Sequence, residues 1–339
     1  MNATATLKSK RIYLLGVNTG FVREGVPDEK FVEFYRERSS AALHCAILGN
    51  VVIPGGVGTN AQSPEISRHP RWTDIAEAIT CAGSMPGIQL ATTWPGYLGQ
   101  RKFVLDDPSQ AIEAARQLLA KITQDDIVGV LNGFRSAARM AVDHGYRHVQ
   151  IHAAHGYLPS LLLDRDLNAR FGFVQEQMAD LADYLRSQKV ESSVRWSMRT
   201  GDPVFDQRGI LESVGNVTSL QFEFIDLSSG HYDIDKRLIY PSTERFLARR
   251  HSDSLFVANS LPEQNFIVSG RIATLAAEWP NNVDLGICRD LIANPNFLSS
   301  WTLGCRNRGK CHYHSRGYDR LRCPTWEENS KVIRQKRDT

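Results

Sequence analysis

Eight times along this chain a short β-rich run gives way to a helical stretch. The runs lie at 11–15, 45–53, 86–90, 147–152, 193–197, 222–228, 265–269 and 283–287. Residues with helical spacing fill 28–42, 72–82, 108–120 with 125–144, 174–188, 209–219, 241–250, 271–279 and 289–294. Strands that alternate with helices must pair in parallel through helical crossovers. Eight such units in about 300 residues predict an α/β fold, a (β/α)8 TIM barrel, with a doubly wound sheet as its rival. No Pro/Ser-rich linker or internal repeat interrupts the alternation. Residues 1–325 therefore read as a single barrel domain and 326–339 as a basic C-terminal tail.

Composition narrows the partners. With 42% apolar residues and a net charge of +3, the chain is neither disordered nor fibrous. No apolar run approaches the roughly 18 residues of a membrane span, so no membrane partner is expected. The opening Met-Asn-Ala-Thr-Ala-Thr-Leu-Lys has no signal-like apolar core. Six cysteines in a chain of this size are too few for a secreted disulfide framework, and a reducing, cytoplasmic compartment is expected. Residues 301–339 hold ten Lys/Arg against four Asp/Glu, which reads as a solvated basic end. No nucleic-acid motif accompanies Trp94 or the Arg/Tyr-rich stretch 313–320, so no nucleic-acid partner is expected.

Side chains alternate faces along a strand. In 147–152 this sends Val149 and Ile151 toward the helices and Gln150 and His152 into the barrel. In 193–197, Val194 and Trp196 point outward while Arg195 and Ser197 point inward. Polar groups at strand C-termini are where barrel enzymes place their chemistry. His152, His155 and Tyr157 follow the fourth run. Two imidazoles can donate to one ligand oxygen while a phenol supplies a proton, a set suited to charge developing on a carbonyl. A zinc site needs a third ligand, and none is clearly placed. After the seventh run comes Ser269-Gly270-Arg271, and after the eighth Cys288-Arg289-Asp290, the positions where barrels bind phosphate. Gly55-Gly-Val-Gly58 lacks a full dinucleotide spacing and reads as a turn. Cys305, Cys311, His312, His314 and Cys323 form no standard zinc pair, and no metal is expected, with zinc through Cys305, Cys311, Cys323 and one histidine as the open alternative.

Together these residues resemble the old yellow enzyme family of FMN-dependent ene-reductases. The block Phe134–Leu158, with Asn168-Ala-Arg170, is similar to its fourth barrel unit, and His152-Ala-Ala-His155-Gly-Tyr157-Leu is its most specific part. Phe34-Tyr35-Arg36-Glu-Arg38 resembles its first helix, Gln89-Leu90 its third-strand Gln-Leu, and Arg195-Trp-Ser197 its fifth-strand Arg-x-Ser. The resemblance implies FMN, with NADPH or NADH as reductant and a small-molecule substrate with an activated alkene; it leaves a homo-oligomer open. It places Gln89 and Arg195 against the flavin ring, with Asn18 or Thr19 at its edge and Ser229 at the end of strand six. Gly270, Arg271, Cys288 and Arg289 fall at the phosphate, and His152, His155 and Tyr157 at the substrate. Departures are Cys288 in place of a glycine, Ala-Thr-Thr-Trp94-Pro-Gly after Gln89-Leu90, and Gly16-Val-Asn18-Thr19 on the first strand. The altered wall and a shortened 171–175 segment leave flavin-dependent oxidation, desaturation or isomerisation as an alternative. A non-flavin barrel or a silent binding protein is a further one. The tail cysteines resemble the iron–sulfur segment of larger relatives without a full cysteine set, and no cluster is expected.

Overall fold

The computed structural model describes residues 10–97, 102–272, 278–309 and 311–329. Eight parallel strands close into a barrel in chain order. They are β1 (Ile12–Leu14), β2 (Cys45–Val52), β3 (Met85–Ala91), β4 (His148–Ala153), β5 (Glu191–Ser197), β6 (Phe224–Ser228), β7 (Asn265–Val268) and β8 (Val283–Ile287). Closure is made where β1 pairs on one side with β8 (Ile12 opposite Leu285) and on the other with β2 (Tyr13 opposite Cys45). Every strand edge falls within two residues of its sequence expectation. The pattern is legible because parallel strands are covered on both faces and read as continuous apolar runs; β2 is buried along its whole length.

The outer faces pack on the helices as the alternation requires. Val149, Ile151 and Val194 lie in the main apolar core, and the Trp196 indole donates to Ser213 Oγ on helix Ile210–Thr218. Inside, one sector is apolar, built from Tyr13, Leu15, Cys45, Ile47, Phe224 and Ile267. The other is a polar column rising from floor to mouth. At the floor, Glu191 meets His148 Nδ1 (2.6 Å), His44 Nε2 (3.1 Å) and the Tyr13 hydroxyl (3.1 Å). Above it, Gln150 Nε2 donates to Ser193 Oγ (2.9 Å) and Asp226 Oδ2 (3.2 Å), and Gln150 Oε1 accepts from Gln89 Nε2 (2.5 Å). A register shift between Leu48 and Val51 bulges β2, and Asn50 in that bulge lines the cavity at the mouth.

Three expectations shift. The helix read at 28–42 ends at Arg38, whose buried guanidinium donates to Phe34, Leu291 and Ile292 carbonyls. The helix read at 241–250 is Glu244–Ser260, because His251, Ser254, Val257 and Ala258 supply a buried face that low intrinsic propensity concealed. At the start of the segment read as a tail, residues 324–329 are helical, Trp326 packs edge-on to Phe34 and under Arg38, and Asn329 Nδ2 donates to Ala293 O. Residues 330–339, and most of the helix expected at 271–279, lie outside the described residues. No described helix is long and apolar enough to cross a membrane.

Candidate active site

A cavity of about 240 Å³ opens at the C-terminal ends of the strands. Ten of the twelve residues singled out in the sequence line it: Asn18, Gln89, His152, His155, Tyr157, Arg195, Gly270, Arg271, Cys288 and Arg289. Thr19 and Ser229 do not. Thr19 is fully buried, its hydroxyl accepting from Phe21 N and its carbonyl from Leu321 N. Ser229 lies behind the wall, its carbonyl accepting from Arg250.

The histidine pair is held from β5 and β6. His155 has a positive φ of 63°, its N–H donates to Ser197 Oγ (3.0 Å), and its Nε2 meets Ser228 Oγ (2.7 Å). The two rings stand nearly perpendicular, 5.1 Å apart. The expectation that both imidazoles are open to one ligand oxygen is thus modified, since His155 Nε2 is already engaged. The Nδ1 atoms of both rings are buried without a partner. Burial, reinforced by Arg195, pushes both pKa values well below the usual 6.5. A lowered imidazole pKa keeps the ring neutral above that value, so the pair donates as neutral N–H across the physiological range. Affinity for a nitrophenol should therefore follow only the ligand's own ionisation between pH 5 and 8. A separate break near pH 6.5 in a spectroscopic titration would show that a charged imidazole is present.

Tyr157 caps the short helix Leu158–Leu162 at its N-terminus. Its ring lies 4.3 Å from that of His152 and stacks on Tyr232 at 5.7 Å, and its hydroxyl accepts from Asn50 Nδ2 (3.2 Å). Burial raises its pKa well above that of a free phenol, so it stays protonated. Beneath it Arg195 Nη1 donates to Asp226 Oδ2 (2.8 Å), and Arg195 Nη2 lies 3.5 Å from Ser228 Oγ. Burial pushes the Asp226 carboxyl up, and Arg195 pulls it back.

Sequence reading missed Asn50, Asp226, Tyr232, Tyr240 and Arg250. Tyr232 follows the end of β6 as Tyr157 follows the end of β4, and that parallel was available. Arg250 sits inside a helix, and no local signal marks it. Tyr232 and Tyr240 share a hydrogen bond of 2.6 Å, and the Tyr240 ring packs against His312 at 3.8 Å. Among the described residues no three His, Cys, Asp or Glu side chains converge as metal ligands. Trp94 packs edge-on against Tyr97 at 4.8 Å.

The residues suit FMN. Buried polar atoms around the cavity lack partners: His152 Nδ1, His155 Nδ1, Arg195 Nε and Arg250 Nε. Arg250, Arg271 and Arg289 all line the cavity, a match for a dianionic phosphate. Residues 11–172 match the model of the NADH:flavin oxidoreductase / NADH oxidase family. The match covers just under half of the chain, which is similar to this flavin oxidoreductase family at low identity. Among the proteins it is similar to, the NADH-dependent flavin oxidoreductase nadA of Aspergillus parasiticus is 24% identical over 307 residues, 80% of this chain and 68% of that one. Putative 12-oxophytodienoate reductase 13 of Oryza sativa subsp. japonica is 22% identical, over 48% of this chain and 44% of the relative. A 2-naphthoyl-CoA reductase in complex with 2-naphthoyl-CoA shares the fold, with a TM-score of 0.66 and 15% identity over 88% of this chain. The chain spans 52% of that reductase.

Proposed function

We propose that the protein is an FMN-dependent oxidoreductase that passes hydride from NADH or NADPH to an activated C=C bond of an enone or enoate. The observation that carries this reading is the convergence of His152, His155 and Tyr157 with Gln89 and Arg195 around one cavity. FMN, when bound, supplies the two-electron chemistry, and the protein supplies orientation and electrostatics. Gln89 and Arg195 would hold the ring system, and Gly270, Arg271 and Arg289 the phosphate. The neutral histidines bind the substrate carbonyl and stabilise negative charge growing on its oxygen. Tyr157 holds a proton at its hydroxyl for the α-carbon.

Purified protein should be yellow, release FMN on denaturation, and oxidise NAD(P)H faster when an enone is supplied. A colourless protein that takes up no FMN would overturn the reading. Bound flavin with no enone dependence, combined with turnover of a saturated carbonyl compound, would instead support oxidation or desaturation. The Trp94–Tyr97 wall, which replaces the usual His-x-Gly-Arg segment, favours that second reading. Phenolates resemble an enolate and should perturb the flavin spectrum by stacking under the histidine pair.

A further inference from the structure

Arg250 is a buried cation that the proposed reaction does not use. It projects from helix Glu244–Ser260, is 4% exposed, and lines the cavity. Its alkyl chain runs against Gly270, where φ is +111° and an added Cβ would lie 3.0 Å from Arg250 Cγ. The next residue, His251, fixes the same loop by bonding Gly270 O through Nε2 at 2.8 Å. Helix and loop are thus joined at two successive residues.

The hydrogen bonds of this guanidinium are incomplete. Its bonds to the described residues both come from Nη2, to the Ser229 and Leu238 carbonyls, while Nε is buried without an acceptor. The two acids that act on it from nearby are engaged elsewhere: Asp226 with Arg195 (2.8 Å) and Asp253 with Arg199 (2.7 and 3.1 Å). Burial and the neighbouring Arg195 push its pKa down to about 9. A buried guanidinium without a bonded anion is costly unless a ligand provides one.

The two arginines expected at the phosphate are also tied to the protein. Arg289 donates to Pro241 O (2.7 Å) and Asn307 Oδ1 (3.3 Å), and Arg271 Nη2 donates to Cys305 O (3.1 Å). We propose that Arg250 is a further phosphate-binding cation of this cavity, reaching the cofactor phosphate past Gly270 from the helix after β6. The inference rests on the flavin reading above and deepens it.

The test is a fluorescence titration of flavin-stripped protein with FMN and with riboflavin, which lacks the phosphate. Wild type should prefer FMN. Arg250→Met should weaken FMN binding about 10- to 100-fold, the range for a lost charge-assisted hydrogen bond, and leave riboflavin binding unchanged. Arg250→Lys keeps the charge but loses the planar fork, and should show an intermediate FMN preference; it stands in if the Met variant fails to fold. Inorganic phosphate should compete with FMN, and not with riboflavin, in wild type. An undiminished preference for FMN in either variant, or an equal loss for both flavins, would overturn the assignment. Failure of wild type to bind either flavin would instead overturn the flavin reading itself.

Discussion

Replacing Arg195 by Met should destabilise the protein by about 3–5 kcal/mol, because it strands a carboxylate in the barrel interior. Asp226 is fully buried, and among the described residues its Oδ1 has no partner and, without Arg195, its only donor is Gln150 at 3.2 Å. The reverse substitution, Asp226→Asn, should cost less, because the freed guanidinium lines the cavity and keeps 13% of its side chain exposed. The double variant Arg195→Met/Asp226→Leu should recover much of the loss, since neither charge is then buried alone. Melting curves and urea unfolding would read this asymmetry, with a drop of roughly 4–7 °C for Arg195→Met. Equal losses in the two single variants, with no recovery in the double, would mean that the pair does not act as a unit. The consequence reaches the site. Arg195 also contacts Ser228 Oγ, and Ser228 holds His155 Nε2, so loss of Arg195 should also weaken phenol binding in protein that remains folded.

Strand positions and inward-facing residues were legible because they depend on local pattern. Period-two alternation around Gln150 and Arg195 needs no knowledge of the rest of the chain, and the strand-to-loop position of His152 through Tyr157 follows directly from it. What could not be read is what those residues meet. Ser228 was seen only as the end of strand six, yet its hydroxyl takes up His155 Nε2 and so changes which nitrogen faces a ligand. Asp226 looks like one acid in an apolar run, and its role appears only when β5 and β6 are aligned with Arg195 opposite it. Arg250 falls at the end of the helix read at 241–250, but its burial depends on the helix running on to Ser260, through residues of low helical propensity.

Tyr157→Phe should slow reoxidation of the reduced flavoprotein by an enone about 10²- to 10⁴-fold, while reduction by NAD(P)H proceeds at close to the wild-type rate. Addition of hydride to the β-carbon of the substrate leaves an enolate, and its α-carbon then needs a proton. The Tyr157 hydroxyl lines the cavity beside His152, and the bond it accepts from Asn50 Nδ2 leaves its own hydrogen to be donated. Burial raises its pKa, so it remains protonated wherever the protein is folded near neutrality. A structural role is the competing account, since the ring is 3% exposed and stacks on Tyr232. Phenylalanine preserves those ring contacts and removes only the hydroxyl, so folding should suffer by no more than about 1 kcal/mol. Stopped-flow measurement of the two half-reactions separates the accounts. Slowed reoxidation with normal reduction identifies a proton donor. A wild-type rate in both halves would move the proton source elsewhere, with Tyr232, stacked on the same ring, the next residue to replace.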